Sequence, residues 1–306
     1  MTNILFVTTQ YRVGERIYPI IPKLSKEYNL DLMKLYQMDP LWNWPGDNDL
    51  RNNFNQKYLK FFDYKKYDLI ITDDNRQFNG LSQIYQNRQC LLLACSHGVS
   101  EHKYEIKNKG ISYDKCFVFG RKEVKYDHQI PAGIPANDML KNYQNIKKEH
   151  ILIIINYLGN AGKIPTGNGD FFKLFDKDVF DSLDLLKLQQ KYNSPIIIKL
   201  KSRPDINIEN DTNYLNSILS DKLNYKILID VDDDNLMISK SHVVISAPGT
   251  LALKPIQLGI PTKLIPETGQ TGIFYDYETN ENFIEDTLEG GKEFNSTQCF
   301  LNYIER

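Results

Sequence analysis

The chain has 306 residues, with 37 lysines and arginines against 39 aspartates and glutamates, so its formal net charge is −2. Hydrophobic residues make up 41% of it and charged residues 25%, a globular composition that excludes disordered and fibrous proteins. The length exceeds the size at which single cores usually stop growing, so we expect two packed domains. The near-neutral charge argues against a protein that holds a polyanion mainly through its net charge, although it leaves room for a local basic groove.

Neither a membrane segment nor a secretion signal is predicted. The longest apolar runs, such as residues 151–155 and 91–94, are far too short to cross a bilayer. The N-terminus enters a strand-like segment directly, without the pattern of a signal peptide. We therefore expect a cytoplasmic protein. Peripheral attachment to a membrane is compatible with this location. The cysteines have no metal-like spacing and are expected to be reduced thiols. They are Cys90, Cys95, Cys116 and Cys299.

Short β-rich runs alternate with longer helix-like segments along the whole chain. In the first half, the predicted strands are residues 3–8, 30–35, 68–72, 90–94 and 115–119. In the second half, they are residues 151–155, 195–200, 225–229, 242–246 and 262–265. Continuous apolar runs are typical of parallel strands that are covered on both faces. Their alternation with helical segments predicts βαβ units.

The pattern restarts near residue 150, after the polar and aperiodic segment 141–149, which we interpret as a linker. The predicted fold class is α/β, with two Rossmann-like doubly wound domains that face each other across a cleft. We expect an N-terminal domain over residues 1–140, a C-terminal domain over 150–290, and a final helix, 291–306, that returns to the first domain. Folds of this kind bind ligands at the carboxyl ends of their strands.

The segment 241–261 is the most informative part of the sequence. An apolar strand ends at Ser246, a turn of small residues follows, and a helix-like run begins near Thr250. Backbone N–H groups and the positive end of a helix attract an anion at such a point, and Gly249 lets a phosphate approach the backbone. An ordinary strand–turn–helix joint capped by Thr250 is the alternative. Pro255 predicts either a kink or a later start of the helix.

This segment resembles the nucleotide-binding element of GT-B glycosyltransferases, in which a small-residue turn opens a helix ending in Leu-Gly-x-Pro. Residues 96–98 (Ser-His-Gly), 133–138 (Gly-Ile-Pro-Ala-Asn-Asp) and 195–204 are similar, in the same order, to motifs of the CDP-glycerol glycerophosphotransferase and capsule-polymerase branch. The resemblance implies a GT-B fold with the acceptor in the first domain and a nucleotide-activated donor in the second. It also implies a transfer reaction in which a sugar or polyol phosphate moves from a nucleotide sugar or CDP-polyol to an acceptor hydroxyl. The acceptor would be a glycan, a lipid-linked chain or another hydroxyl compound. Neither a metal nor a cofactor is expected.

The resemblance gives roles to individual residues. His97 follows a predicted strand and is implied as the general base for the acceptor hydroxyl, or as a donor to a phosphate. A loop histidine satisfied by backbone groups is the alternative. Arg203 suits bidentate phosphate binding, while Lys199 and Lys201, on the same side of an extended strand, belong either to a phosphate site or to a solvated strand end.

Some positions depart from the family pattern. Arg203 stands where the branch usually has histidine, and His102 and Lys103 lie near the place where a lysine is expected. Lys254 occupies a position where many GT-B enzymes carry an acidic residue for the ribose. A lysine accepts no hydrogen bond from ribose hydroxyls, so Lys254 suits a phosphate or points to solvent. The expected phosphate-binding set is Lys199, Arg203, Ser246, Gly249, Thr250 and Lys254.

Three loops follow predicted strands and either contact substrate or are simply polar loops. Their candidate residues are Gln10, Arg12, Asn156, Gly159, Gln270 and Thr271.

No metal site is predicted. The Asp-Asp-Asp run 232–234 resembles manganese-binding Asp-x-Asp motifs, but it precedes a short helix, where acidic residues act as caps. The pair Asp73 and Asp74 is interpreted in the same way. His97 and His102 lack a third ligand for zinc.

Two other functions compete with transfer. A non-hydrolysing nucleotide-sugar 2-epimerase has the same fold, but its chemistry needs a pair of acid/base carboxylates that the sequence does not place. A catalytically silent nucleotide- or glycan-binding protein is the other alternative, which Arg203 and Lys254 at family positions support.

Overall fold

The computed structural model describes residues 2–8, 18–34, 63–72, 91–95, 114–118, 124, 127–155, 158, 175–200, 207–229, 231–246, 250–265, 294 and 296–304. The chain divides into two compact units. The first contains Met1–Met139 and Ile284–Arg306, and the second contains Leu140–Phe283. Each unit is built on one parallel β-sheet.

The sheet of the first unit has, within the described residues, six strands in the order β2-β1-β3-β4-β5-β6. They are β1 (Asn3–Thr8), β2 (Asn29–Lys34), β3 (Leu69–Thr72), β4 (Leu91–Cys95), β5 (Lys115–Val118) and β6 (Gln129–Pro131). A 3₁₀ turn, Tyr18–Ile20, leads into α1 (Ile21–Leu24), and a second 3₁₀ turn, Tyr64–Lys66, precedes β3.

The sheet of the second unit has five described strands in the order β11-β10-β7-β8-β9. They are β7 (His150–Ile155), β8 (Ile196–Leu200), β9 (Tyr225–Leu228), β10 (Ser241–Ser246) and β11 (Thr262–Leu264). The helices of this unit in the described ranges are α2 (Lys177–Ser182), α3 (Leu185–Tyr192), α4 (Ile208–Ile218), α5 (Asp234–Ser239) and α6 (Thr250–Gln257).

The prediction of an α/β fold with parallel sheets is confirmed. All ten predicted strands are present, and each boundary lies within one residue of its predicted position. Strand β6 was not predicted, because three residues, Gln129–Pro131, are too few to show a hydrophobic period. It lies at the edge of its sheet, where the missing N–H of Pro131 is tolerated.

Both faces of the second sheet are covered. Every residue of β7 is buried, as expected for a central parallel strand. Ile151 and Ile153 lie on the face that packs against α2, α3 and α4. Leu152 and Ile154 lie on the opposite face, which packs against α5 and α6. Helices on both faces make this sheet doubly wound, as predicted.

The C-terminal helix α7 (Ser296–Ile304) packs into the core of the first unit. Phe300 stacks on Phe117 with ring centroids 4.1 Å apart. The carboxylate of Asp138 caps the helix, since it accepts the N–H groups of Ser296 at 2.9 Å and Thr297 at 2.7 Å. These N–H groups have no partner inside the helix, so Asp138 satisfies both and also meets the positive end of the helix dipole. The 133–138 motif thus includes a residue that anchors the end of the chain.

His150 begins β7 and is buried at the amino end of the second sheet. Its Nε2 lies 2.9 Å from the carbonyl oxygen of Met237 and 3.2 Å from Oγ of Ser241. A carbonyl only accepts, so Nε2–H is the donor in this hydrogen bond. Burial lowers the pKa of His150 below its ordinary value of 6.5, and Lys240 adds to the decrease.

This shift predicts a loss of stability in acid. Because burial disfavours the protonated form of His150 in the folded protein, the unfolded chain binds more protons as the pH falls through 6.5, so the free energy of unfolding decreases there. His150→Gln retains a donor for Met237 without the titration. Denaturant unfolding at pH 7.5 and pH 5 is expected to show a smaller loss of stability for this variant than for the wild type, because its side chain takes up no proton on unfolding. An equal loss in both proteins would show that His150 does not contribute.

Within the described ranges, no helix combines the length and apolarity that crossing a bilayer requires.

Candidate functional site

The second sheet reverses its strand order between β7 and β10. From β7 the chain adds β8 and β9 on one side, and β10 and β11 follow on the other. The first helices after β7 cover one face, and α6 after β10 covers the opposite face. A crevice at the carboxyl ends of two such strands is the usual ligand site of an open α/β sheet. The predicted donor site lies at this edge.

Three residues form one row across the carboxyl edge of the sheet. Ser246 of β10 pairs in register with Ile154 of β7, which pairs with Lys199 of β8. Residues in register in a parallel sheet point to the same face, so all three lie on the face covered by α5 and α6. Two strand spacings, about 10 Å, separate the backbones of Ser246 and Lys199. The structure thus places two predicted phosphate residues in one row.

Helix α6 begins at Thr250, where the sequence predicted it, and continues through Pro255. Its end is fixed by Gly259, whose φ of 70° is the left-handed conformation that glycine adopts most readily. The N–H of Gly259 donates to Ile256 at 2.9 Å, and that of Ile260 donates to Pro255 at 2.8 Å. This is a Schellman motif, which explains the Leu-Gly-x-Pro sequence at this helix end.

The two described lysines of the predicted set contact neighbouring residues of α5. Nζ of Lys254 donates to Oδ1 of Asn235 at 2.7 Å. Nζ of Lys199 lies 3.4 Å from Oδ1 of Asp234 in an ion pair, and the Lys199 side chain is only 14% exposed. The first two residues of α5 therefore contact two lysines, Lys199 of the sheet and Lys254 of α6.

The capping interpretation of residues 232–234 is confirmed at Asp233. Its carboxylate accepts the N–H of Leu236 at 2.9 Å and the hydroxyl of Tyr143 at 2.8 Å. Burial opposes its ionisation, but these hydrogen bonds, the N–H of Asn235 and the charge of Lys254 keep the pKa of Asp233 below its ordinary value. Asp233 is therefore a charged cap at the carboxyl edge of the sheet.

Several predicted site residues lie outside the described residues. In the first unit these are Gln10 and Arg12, which follow β1, and His97, which follows β4. In the second unit they are Asn156, Gly159, Arg203, Gly249, Gln270 and Thr271. Asp73 and Asp74 also lie outside them. The assignments of these residues stay predictions.

The roles of Asn235 and Tyr143 were not predicted from the sequence. Asn235 is 19 residues from its partner Lys254, and Tyr143 is 90 residues from Asp233. The local signal at Asn235 was a helix start, which indicates a cap and says nothing of a lysine on another helix. Only the packing of α5 against α6 brings the amide to the ammonium.

Known structures share this fold, although no family model matches the sequence and no curated protein matches it. The S. aureus MnaA–UDP structure is 13% identical, with a TM-score of 0.60, over 100% of this chain and 96% of that one. UDP-GlcNAc 2-epimerase from Methanocaldococcus jannaschii is 11% identical, with a TM-score of 0.58, over 99% and 100%. Acinetobacter baumannii MurG is 10% identical, with a TM-score of 0.53, over 100% and 99%. At these identities the likeness assigns the fold, which is of the GT-B type.

Proposed function

We propose that the protein is an enzyme that binds a nucleotide-activated sugar or polyol in its second unit and transfers the activated group to an acceptor hydroxyl. The observation that carries the proposal is the strand-order reversal between β7 and β10, with Ser246 and Lys199 in one row at the carboxyl edge. Rossmann-type sheets bind nucleotides at this point. Helix α6 starts there, and its positive end favours the charge of a diphosphate.

The rest of the donor site is proposed from the sequence. In the sequence, Arg203 follows β8, which ends at Leu200, and Gly249 stands between the end of β10 and the start of α6, so both are proposed to lie at the carboxyl edge of the sheet. Arginine and a helix start neutralise the leaving nucleotide, which is a diphosphate when a sugar is transferred and a monophosphate when a polyol phosphate is transferred, so the proposed reaction needs no metal and no other cofactor. Gly159, Gln270 and the remaining loop candidates are proposed to contact the donor or the acceptor.

The acceptor side of the proposal rests on the first unit. In the sequence, His97 follows β4, and Gln10 and Arg12 follow β1, so all three are proposed to lie near the carboxyl ends of these strands. His97 is proposed as the base that takes the proton of the acceptor hydroxyl. The CDP-glycerol branch is proposed from the sequence motifs alone.

Nucleotide-sugar 2-epimerisation is the second candidate function, favoured by the fold likeness to an enzyme of that name. The two reactions differ in product. Transfer releases the nucleotide when an acceptor is present, whereas epimerisation changes the configuration of the sugar and releases no nucleotide. Chromatography of nucleotide sugars after incubation with the protein, with and without acceptors, separates the two.

The donor site is tested by binding. A thermal-shift screen with nucleoside diphosphates and nucleotide sugars is expected to find a ligand that stabilises the protein, by about 2.7 kcal/mol at a concentration 100 times its Kd. Thr250→Val combined with Arg203→Ala is then expected to weaken that ligand about tenfold or more, because charge-assisted contacts are lost. The control is Lys187→Ala, an exposed lysine of α3. Unchanged affinity in calorimetry would remove the site assignment.

A further inference from the structure

The segment Asp233–Asn235 contains three neighbouring residues with three different contacts. Asp233 caps α5, Asp234 faces Lys199 of β8, and Asn235 holds Lys254 of α6. Capping alone explains the first contact and neither of the others. Lys199 lies on the sheet face that carries Ser246, at its carboxyl edge, and Lys254 belongs to α6, which covers that face.

The contact between Lys199 and Asp234 is an ion pair without a hydrogen bond. Their charged atoms are 3.4 Å apart, and Oδ1 of Asp234 is buried yet accepts no hydrogen bond within the described part of the chain. Strong ion pairs have shorter, hydrogen-bonded contacts of about 2.7–2.9 Å. A phosphate oxygen that accepts a full hydrogen bond from Lys199 would therefore compete well with Asp234.

The contact between Lys254 and Asn235 has the opposite character. It is a short hydrogen bond of 2.7 Å, and Asn235 is only 8% exposed, so the amide fixes the position of the ammonium. An amide carries no net charge, so the Asn235 contact orients Lys254 without adding a negative charge to that of the nearby Asp233. A carboxylate at the same position would give the same hydrogen bond and add a second negative charge beside the ammonium.

We propose that Asp234 and Asn235 are positioning residues of the donor-phosphate site: Asp234 is a counter-ion that the diphosphate displaces from Lys199, and Asn235 aims the charged Lys254 at the same anion. This inference rests on the function proposed above and names the diphosphate as the group that the lysines recognise. It predicts that substitutions at two adjacent residues change diphosphate affinity in opposite directions.

The test compares Asp234→Asn with Asn235→Asp by calorimetry, with UDP, CDP, pyrophosphate and uridine as probes. Asp234→Asn removes the competing charge and is expected to tighten UDP or CDP and pyrophosphate about threefold or more. Asn235→Asp keeps the acceptor for Lys254 but adds a second carboxylate beside it, next to Asp233, and is expected to weaken them about tenfold, the loss of one charge-assisted contact. Uridine has no phosphate, so its affinity is expected to stay unchanged in both variants.

A purely structural role predicts a different pattern. The Asn235→Asp variant would then bind UDP, CDP and pyrophosphate with wild-type affinity, or its affinities for uridine and for the diphosphates would fall equally. Either result overturns the proposal. A weaker diphosphate affinity in Asp234→Asn overturns it as well. If Asn235→Asp does not fold, Asn235→Ser replaces it, with an expected loss of about threefold because Lys254 loses its fixed position.

The same probes separate this inference from the proposed function. Binding of pyrophosphate but of no nucleotide by the wild type would contradict the proposed function, and the opposite shifts in pyrophosphate affinity would still support the positioning roles. Binding of neither would overturn both.

Discussion

His97→Ala is expected to lower turnover of the nucleotide-activated donor about 10²–10⁴-fold, the usual contribution of a general base. His97 is the second residue after β4, a parallel strand that ends at Cys95. If His97 takes the proton of the acceptor hydroxyl, the loss appears in kcat, and the Kd of the donor stays near that of the wild type. Steady-state kinetics and calorimetry on the same preparations measure the two quantities.

His102→Ala is the matched control, a second histidine in the same stretch of chain. We expect it to retain turnover within a few-fold of the wild type, because no role in transfer is proposed for it. If His97→Ala weakens donor binding and turnover in parallel, His97 binds the donor phosphate instead. Full activity and full binding would show that His97 is a loop histidine without a role in the reaction.

Phe300→Ala is expected to lower the stability of the first unit by about 3–5 kcal/mol, the usual cost of removing a buried aromatic ring. Phe300 is 2% exposed, and its ring stacks on Phe117 of β5. The lost ring leaves a cavity beneath α7 and removes the stacking contact with Phe117. Hydrogen exchange measures the effect unit by unit, which suits a chain with two units better than a single unfolding curve.

In that experiment, protection is expected to fall in β1 and β5 and to stay unchanged in β7 and β8. Asn302→Ala, an exposed position on the same helix, is the control and should change stability by about 0.5 kcal/mol or less. Phe300→Leu keeps most of the apolar volume and should cost less than the alanine variant. Equal protection in the wild type and Phe300→Ala would contradict a stabilising role for α7.

Ten strands could be predicted from the sequence because their signal is local. Residues 151–155, for example, are a continuous apolar run rich in β-branched isoleucine, and their number is typical of a buried strand and too small for most helices. The helix start at Thr250 and the cap at Asp233 were also predictable, since both depend on residues within one turn. Strand β6 was missed because its three residues are too few to show a period, and its pairing with β5 leaves no signal in the local sequence.

What the sequence determined by itself is therefore the set of elements, the parallel α/β class and the strand ends that carry candidate site residues. Tertiary structure alone decided the order β11-β10-β7-β8-β9, which places Ser246 and Lys199 in one row. It also decided that Asp138 caps a helix 158 residues away and that Asn235 holds Lys254. The physical reason is the separation along the chain between the residues that interact. Hydrophobic periods and caps are set by neighbours in the chain, whereas strand order and paired charges depend on which surfaces the folded chain buries together.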